Sequence, residues 1–68
     1  MRNDLRKQRL ELRLSQSALA RLSKVPRIRI CLHELGDRPL SNIELGQVRL
    51  ALQAEVVRIR RVAASLAD

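Results

Sequence analysis

Apolar residues along the chain recur at intervals of three and four, and no segment alternates apolar with polar over a strand's length. Leu5, Leu10 and Leu12 predict a first helix that opens at Asn3 or Asp4, both good caps beside the positive end of the helix dipole, and fades near Arg13. Ser15 offers a second N-cap and starts a short helix through Leu22, without an acidic box partner because Ala18 stands at that place. Ser23-Lys24-Val25 is a break of turn length. Pro26 suits the first turn of a third helix, where its missing N–H costs nothing, and that helix is expected to reach Leu35. Gly36 can take the left-handed conformation that closes it. After a loop over Asp37 to Leu40, Ser41 and Glu44 have the spacing of a capping box.

From Ser41 to Ala67 the one breaker is Gly46. Leu45, Val48, Leu52, Val56, Ile59, Val62 and Leu66 form one apolar stripe, with Arg49, Arg58, Arg60 and Arg61 mostly off it. One long helix and two helices joined near Gln53-Ala54 both fit this pattern. The expected fold is therefore all-α, with four to five helices.

The 68 residues suffice for one domain, residues 1–68, and a domain that small is marginal without a staple. A single cysteine, Cys31, excludes an internal disulfide, and with the one histidine, His33, it cannot build a structural zinc site, so no metal is expected. Association is the staple left over. A core of this size cannot cover Val56, Ile59, Val62, Ala63 and Leu66 together, and burying each large one is worth roughly 1.5–3 kcal/mol. Residues 53–67, entered through Leu52, are thus expected to form a homodimer, with a fold-back onto the same domain as the other possibility. Arg58, Arg60 and Arg61 would line its rim or face phosphates, offset by Glu55 or Asp68.

Charge narrows the choice of partner. Fourteen basic residues stand against seven acidic ones, a formal charge of +7, which favours a polyanion. The absence of Phe, Trp and Tyr speaks against single-strand binding by base stacking and against an aromatic membrane anchor. No apolar run approaches the roughly 18 residues that span a bilayer, and the N-terminal stretch is too charged for a signal peptide's apolar core. A cytoplasmic protein with no membrane partner is expected. The chain has no metal cluster, no nucleophile–base pair and no Gly-rich phosphate loop, so an enzyme, a cofactor and a small-molecule ligand are not expected either.

Gln16 to Gly36, QSALARLSKVPRIRICLHELG, has the spacing of two short helices about a tight turn. Ser15-Gln16, Leu19-Ala20, Val25, Ile30, Glu34, Gly36, the Arg38-Pro39…Ser41 pattern and Ala51-Leu52 resemble the lambda-repressor and Cro-like helix-turn-helix proteins, the XRE family. The resemblance covers about Leu5 to Leu52, with the helix-turn-helix at 16–36. It differs from the usual pattern in Lys24, where glycine is frequent in the turn, and in His33, Leu32 and Leu35.

The resemblance implies that the third helix enters the major groove of a duplex while the second lies across the backbone. Base reading then falls to Arg27, Ile28, Arg29 and Leu32: arginine can bond O6 and N7 of guanine together, and the apolar pair can meet a thymine methyl. Gln16, Lys24, Arg38 and Asn42 would hold phosphates, and Arg6 and Arg13 are lesser candidates. Arg9 and Glu34 would form a structural ion pair that orients the third helix. His33 is expected half-buried and Cys31 a small helix residue. The implied function is sequence-specific binding of double-stranded DNA by a dimeric transcriptional regulator. It would be an autorepressor of its own small operon, reading an inverted repeat, of the type found in phages, plasmids or beside anti-CRISPR genes. An antitoxin or adaptor, whose C-terminal helix holds a partner protein, is the alternative.

Overall fold

A computed structural model describes residues 4–67 of the chain; the expectations on Asn3 and Asp68 fall outside them. The described residues form four α-helices and no strand: α1 (Asp4–Glu11), α2 (Gln16–Ser23), α3 (Arg27–Glu34) and α4 (Asn42–Ala67). Residues 42–67 are one helix of 26 residues, with no break at Gln53-Ala54. Gly46 is absorbed inside it, at the roughly 1 kcal/mol a helical glycine costs relative to alanine. No helix among the described residues is long and apolar enough to cross a membrane.

Left-handed residues end the three short helices. Arg13 (φ 58°), Lys24 (φ 65°) and Gly36 (φ 81°) each follow a helix C-terminus. After α1, Leu14 N–H donates to the Arg9 carbonyl at 3.1 Å and Arg13 N–H to that of Leu10 at 3.0 Å. After α3, Asp37 N–H donates to Leu32 and Gly36 N–H to His33, both at 3.0 Å. These are the paired bonds of a Schellman closure, which satisfy carbonyls a helix end would otherwise leave open. Only Gly36 takes this conformation freely; at Arg13 and Lys24 it costs roughly 1–2 kcal/mol each. The role of Arg13 was not visible in the residue pattern, because arginine gives no turn signal.

Two caps match their sequence signals. The Ser15 hydroxyl accepts from Ala18 N–H at 3.0 Å. The Ser41 hydroxyl accepts from Glu44 N–H at 3.1 Å, while the Glu44 carboxylate accepts from Ser41 N–H at 3.0 Å, closing the box. Two boundaries differ from expectation. Ser23 stays in α2, because its buried hydroxyl donates back to the Leu19 carbonyl at 2.7 Å. Pro26 caps α3 from outside, with ψ 140°, rather than opening it.

The core is Leu5, Leu19, Val25, Ile30, Leu40, Val48, Ala51 and Leu52, with Leu12, Leu14, Ala20 and Leu45 packed around it. α2 lies against both α3 and α4. Leu19, Val25 and Ile30 are the plug between α2 and α3, all essentially inaccessible to solvent. Leu10 is half exposed on α1. Leu52, expected at the start of the dimer surface, is 7 % exposed and belongs chiefly to the core of its own chain, reaching the surface only where it lines a groove with Leu12 and Val56. The first half of the α4 stripe, through Val48 and Leu52, is already consumed by the core. The second half is not, and Ile59, Val62 and Leu66 become progressively more exposed, at 38, 48 and 82 %. The molecule measures 45 × 20 × 18 Å with a radius of gyration of 12.8 Å, above the roughly 11 Å of a compact chain of this length. The excess is the distal half of α4.

Candidate nucleic-acid interface

The short helix α3 has two sides. Ile30 and Glu34, four residues apart, face inward and are buried. Arg27 and Ile28, in the first turn, face outward and are exposed, and Leu32 is half-buried. Lys24 in the preceding turn, Arg38 in the following loop and Asn42 at the start of α4 are all exposed. Lys24 and Arg27 thus stand exposed at the N-terminal end of α3, while Arg38 lies past its C-terminal end, where its N–H donates to the Leu32 carbonyl at 3.3 Å.

Beneath α3, the helix is braced by charge. Arg9 Nε and Nη2 donate to the two carboxylate oxygens of Glu34, each at 2.8 Å, and Arg9 Nη1 donates to the Leu14 carbonyl at 2.8 Å. Both side chains are almost wholly covered. Gln16 Nε2 donates to Glu34 as well, at 3.0 Å. Burial pushes the Glu34 carboxyl up, but the bonds from Arg9 and Gln16 and the charges of Arg9 and Arg6 outweigh it, and the net shift is downward. One carboxylate thus ties α1, α2 and α3 together, and no buried side-chain polar atom among the described residues lacks a partner. Gln16, expected at a phosphate, spends its amide nitrogen on this brace.

Arg29 is placed differently from Arg27. Its Nε donates to Glu44 at 3.2 Å and its Nη2 at 2.7 Å, a two-point grip by the first turn of α4. The Arg29 hydrogen bonds, followed by the bond from Ser41 N–H, hold the Glu44 carboxyl down at about 2, and the same contact raises the Arg29 guanidinium. Glu44 therefore caps α4 and holds Arg29 at once. The capping role follows from the Ser41-to-Glu44 spacing; the second does not, because the partners are 15 residues apart and meet only once α3 and α4 have both docked on α2.

His33 Nδ1 accepts from Leu40 N–H at 3.0 Å and draws the 36–41 loop back onto α3, which places Arg38 beside the helix end. Cys31 is half-buried and free. On α4, Glu55 is buried and pairs with Arg58 of the same chain at 3.2 Å and a second, shorter contact. Val56 is half-buried, and Ala63 is exposed with Ile59, Val62 and Leu66. A shallow groove between α1 and α4, over Leu12, Leu52 and Val56, runs into that apolar strip. No three His, Cys, Asp or Glu side chains among the described residues cluster as a metal site would require. No protein family matches this chain, and no curated protein or solved structure matches it.

Proposed function

We propose that the chain is a sequence-specific DNA-binding protein, with α2, the 24–26 turn and α3 acting as a helix-turn-helix and the distal half of α4 joining two copies. The observation that carries this reading is the two-sided construction of α3. Its inner side is fixed by Ile30 and by the buried Glu34 brace, and its outer first turn offers Arg27 and Ile28 amid exposed cationic side chains. A rigid, short, cationic helix end standing clear of the body suits a major groove. Lys24 and Arg38 flank it where phosphates would lie, and Asn42 adds a neutral donor. Arg27 is the free reader, able to bond guanine O6 and N7 at about 1–3 kcal/mol of discrimination.

The apolar strip of Val56, Ile59, Val62, Ala63 and Leu66 supports association with a second copy, since a two-fold partner offers the same strip. Two reading helices about 34 Å apart then match half-sites one helical turn apart. Occupancy would follow protein concentration, as suits an autorepressor. The test is a gel shift on the DNA upstream of the chain's own gene, with Arg27→Ala beside the wild type. Loss of the specific complex, with circular dichroism and sedimentation unchanged, is the expected result. Wild-type affinity in both Arg27→Ala and Arg29→Ala would remove α3 from the reading role. A chain that is insoluble alone and recovered only with another protein would favour the adaptor reading instead.

A further inference from the structure

Arginine carries five N–H donors along two usable edges: the side edge, Nε with Nη2, and the end edge, Nη1 with Nη2. Glu44 occupies the side edge of Arg29 at both points. The end edge has no partner among the described residues, and about a third of the Arg29 side chain remains accessible. Arg27, two residues earlier, is exposed and has no carboxylate on it among the described residues. The two arginines are therefore chemically unlike, although the sequence alone makes them equivalent.

We propose that Glu44 is a specificity-determining positioning residue, which grips the side edge of Arg29 and leaves only its end edge for a guanine. The inference rests on the DNA-binding reading above. The end edge matches O6 and N7 of guanine, which accept side by side in the major groove. Holding the guanidinium beforehand removes the rotamer freedom a loose arginine surrenders on binding. It also draws Arg29 away from phosphates, because the adjacent carboxylate offsets its charge and is itself repelled by the backbone. Arg27 can settle on a phosphate or a base; Arg29 is committed to a base. Glu44 costs general affinity for DNA and returns selectivity, so its removal should move the two in opposite directions.

The test uses Glu44→Gln, which keeps an acceptor for the Ser41 N–H in the capping box while abolishing the charge that holds Arg29. Wild type and variant are each put through selection from a randomised 24-base-pair duplex library, and their affinity for an unselected random duplex is measured at fixed salt. The expected result has three parts. Wild type selects a guanine in each half-site that Arg29→Met no longer selects, since a thioether has no donor for O6 or N7. Glu44→Gln loses that guanine preference by about five- to tenfold. The same variant binds the random duplex as tightly as wild type or more tightly. A parallel fall in selective and random binding would make Glu44 merely structural and overturn the proposal. An unchanged or sharper guanine preference in Glu44→Gln would mean that Glu44 withholds Arg29, and would overturn it too. If Glu44→Gln fails to fold, Arg29→Met decides alone: retention of the same preference defeats the assignment. A wild-type chain that selects no sequence at all overturns the DNA-reading function itself, and this inference with it.

Discussion

Arg9 spends its guanidinium on three bonds, two to Glu34 and one to the Leu14 carbonyl, and neither charged side chain sees appreciable water. Such a pair adds little over an apolar substitute, but breaking it leaves a buried charge without compensation, at roughly 3–5 kcal/mol. A chain of this length has about 3–10 kcal/mol to lose at typical stability per residue. Arg9→Met should therefore lie near or past its unfolding threshold at neutral pH, as read by urea denaturation. The pH dependence has a definite sign. In the wild type the Glu34 carboxyl lies below its ordinary value, so its contribution is present above the usual carboxylate range and is lost as the pH falls through it. In Arg9→Met the bonds that lower it are reduced and burial remains, so protonation relieves the buried charge. The stability gap between the two proteins should narrow from pH 7 to pH 4. A gap of constant size would mean that Arg9 acts only by filling space.

At the scale of the element, α4 does two jobs along one stripe. Its first half supplies Val48, Ala51 and Leu52 to the core, and its second half projects Ile59, Val62 and Leu66 into solvent. An isolated helix of that distal length is marginal in water, so it gains from any apolar cover. Substitutions one helical face apart should then report different things. Leu52→Ala is expected to cost about 2–5 kcal/mol of domain stability by opening the core. Val62→Asp is expected to leave the domain folded and convert a dimer to a monomer in sedimentation equilibrium, by placing a charge in the strip at the two-fold partner. A Val62→Asp protein with unaltered mass would show that this strip is not the contact between copies.

The whole molecule carries a formal charge of +7, yet its arginines are not interchangeable. Arg9, Arg29 and Arg58 are each engaged with a carboxylate of the chain, whereas Lys24 and Arg27 are exposed at the start of α3 and Arg38 is exposed past its C-terminus. Affinity for a duplex should fall linearly with the logarithm of salt concentration, by about 0.9 for each phosphate neutralised. Arg38→Ala is expected to weaken all sequences alike and to reduce that slope by about one per protomer. A loss confined to one preferred sequence would move Arg38 from the phosphates to the bases.

Local chemistry made most of the secondary structure legible. Periods of three and four, the Ser15 cap, the Ser41–Glu44 box and the Gly36 closure act within a few residues, so the chain itself determines them. The inward placement of Leu19, Val25 and Ile30 spans a turn and came instead with the resemblance. The Arg9 and Glu34 pairing came from a resemblance, since nothing local links residues 25 apart. Tertiary structure alone decided the rest. The docking of α4 buried Leu52 in the core, and the meeting of two helix N-termini tied Arg29 to Glu44 while Arg27 stayed exposed. Helix caps, turn closures and periodicity are settled between neighbours along the chain. Which of two identical side chains finds a carboxylate is settled by distances in space, and those exist only once the helices have docked.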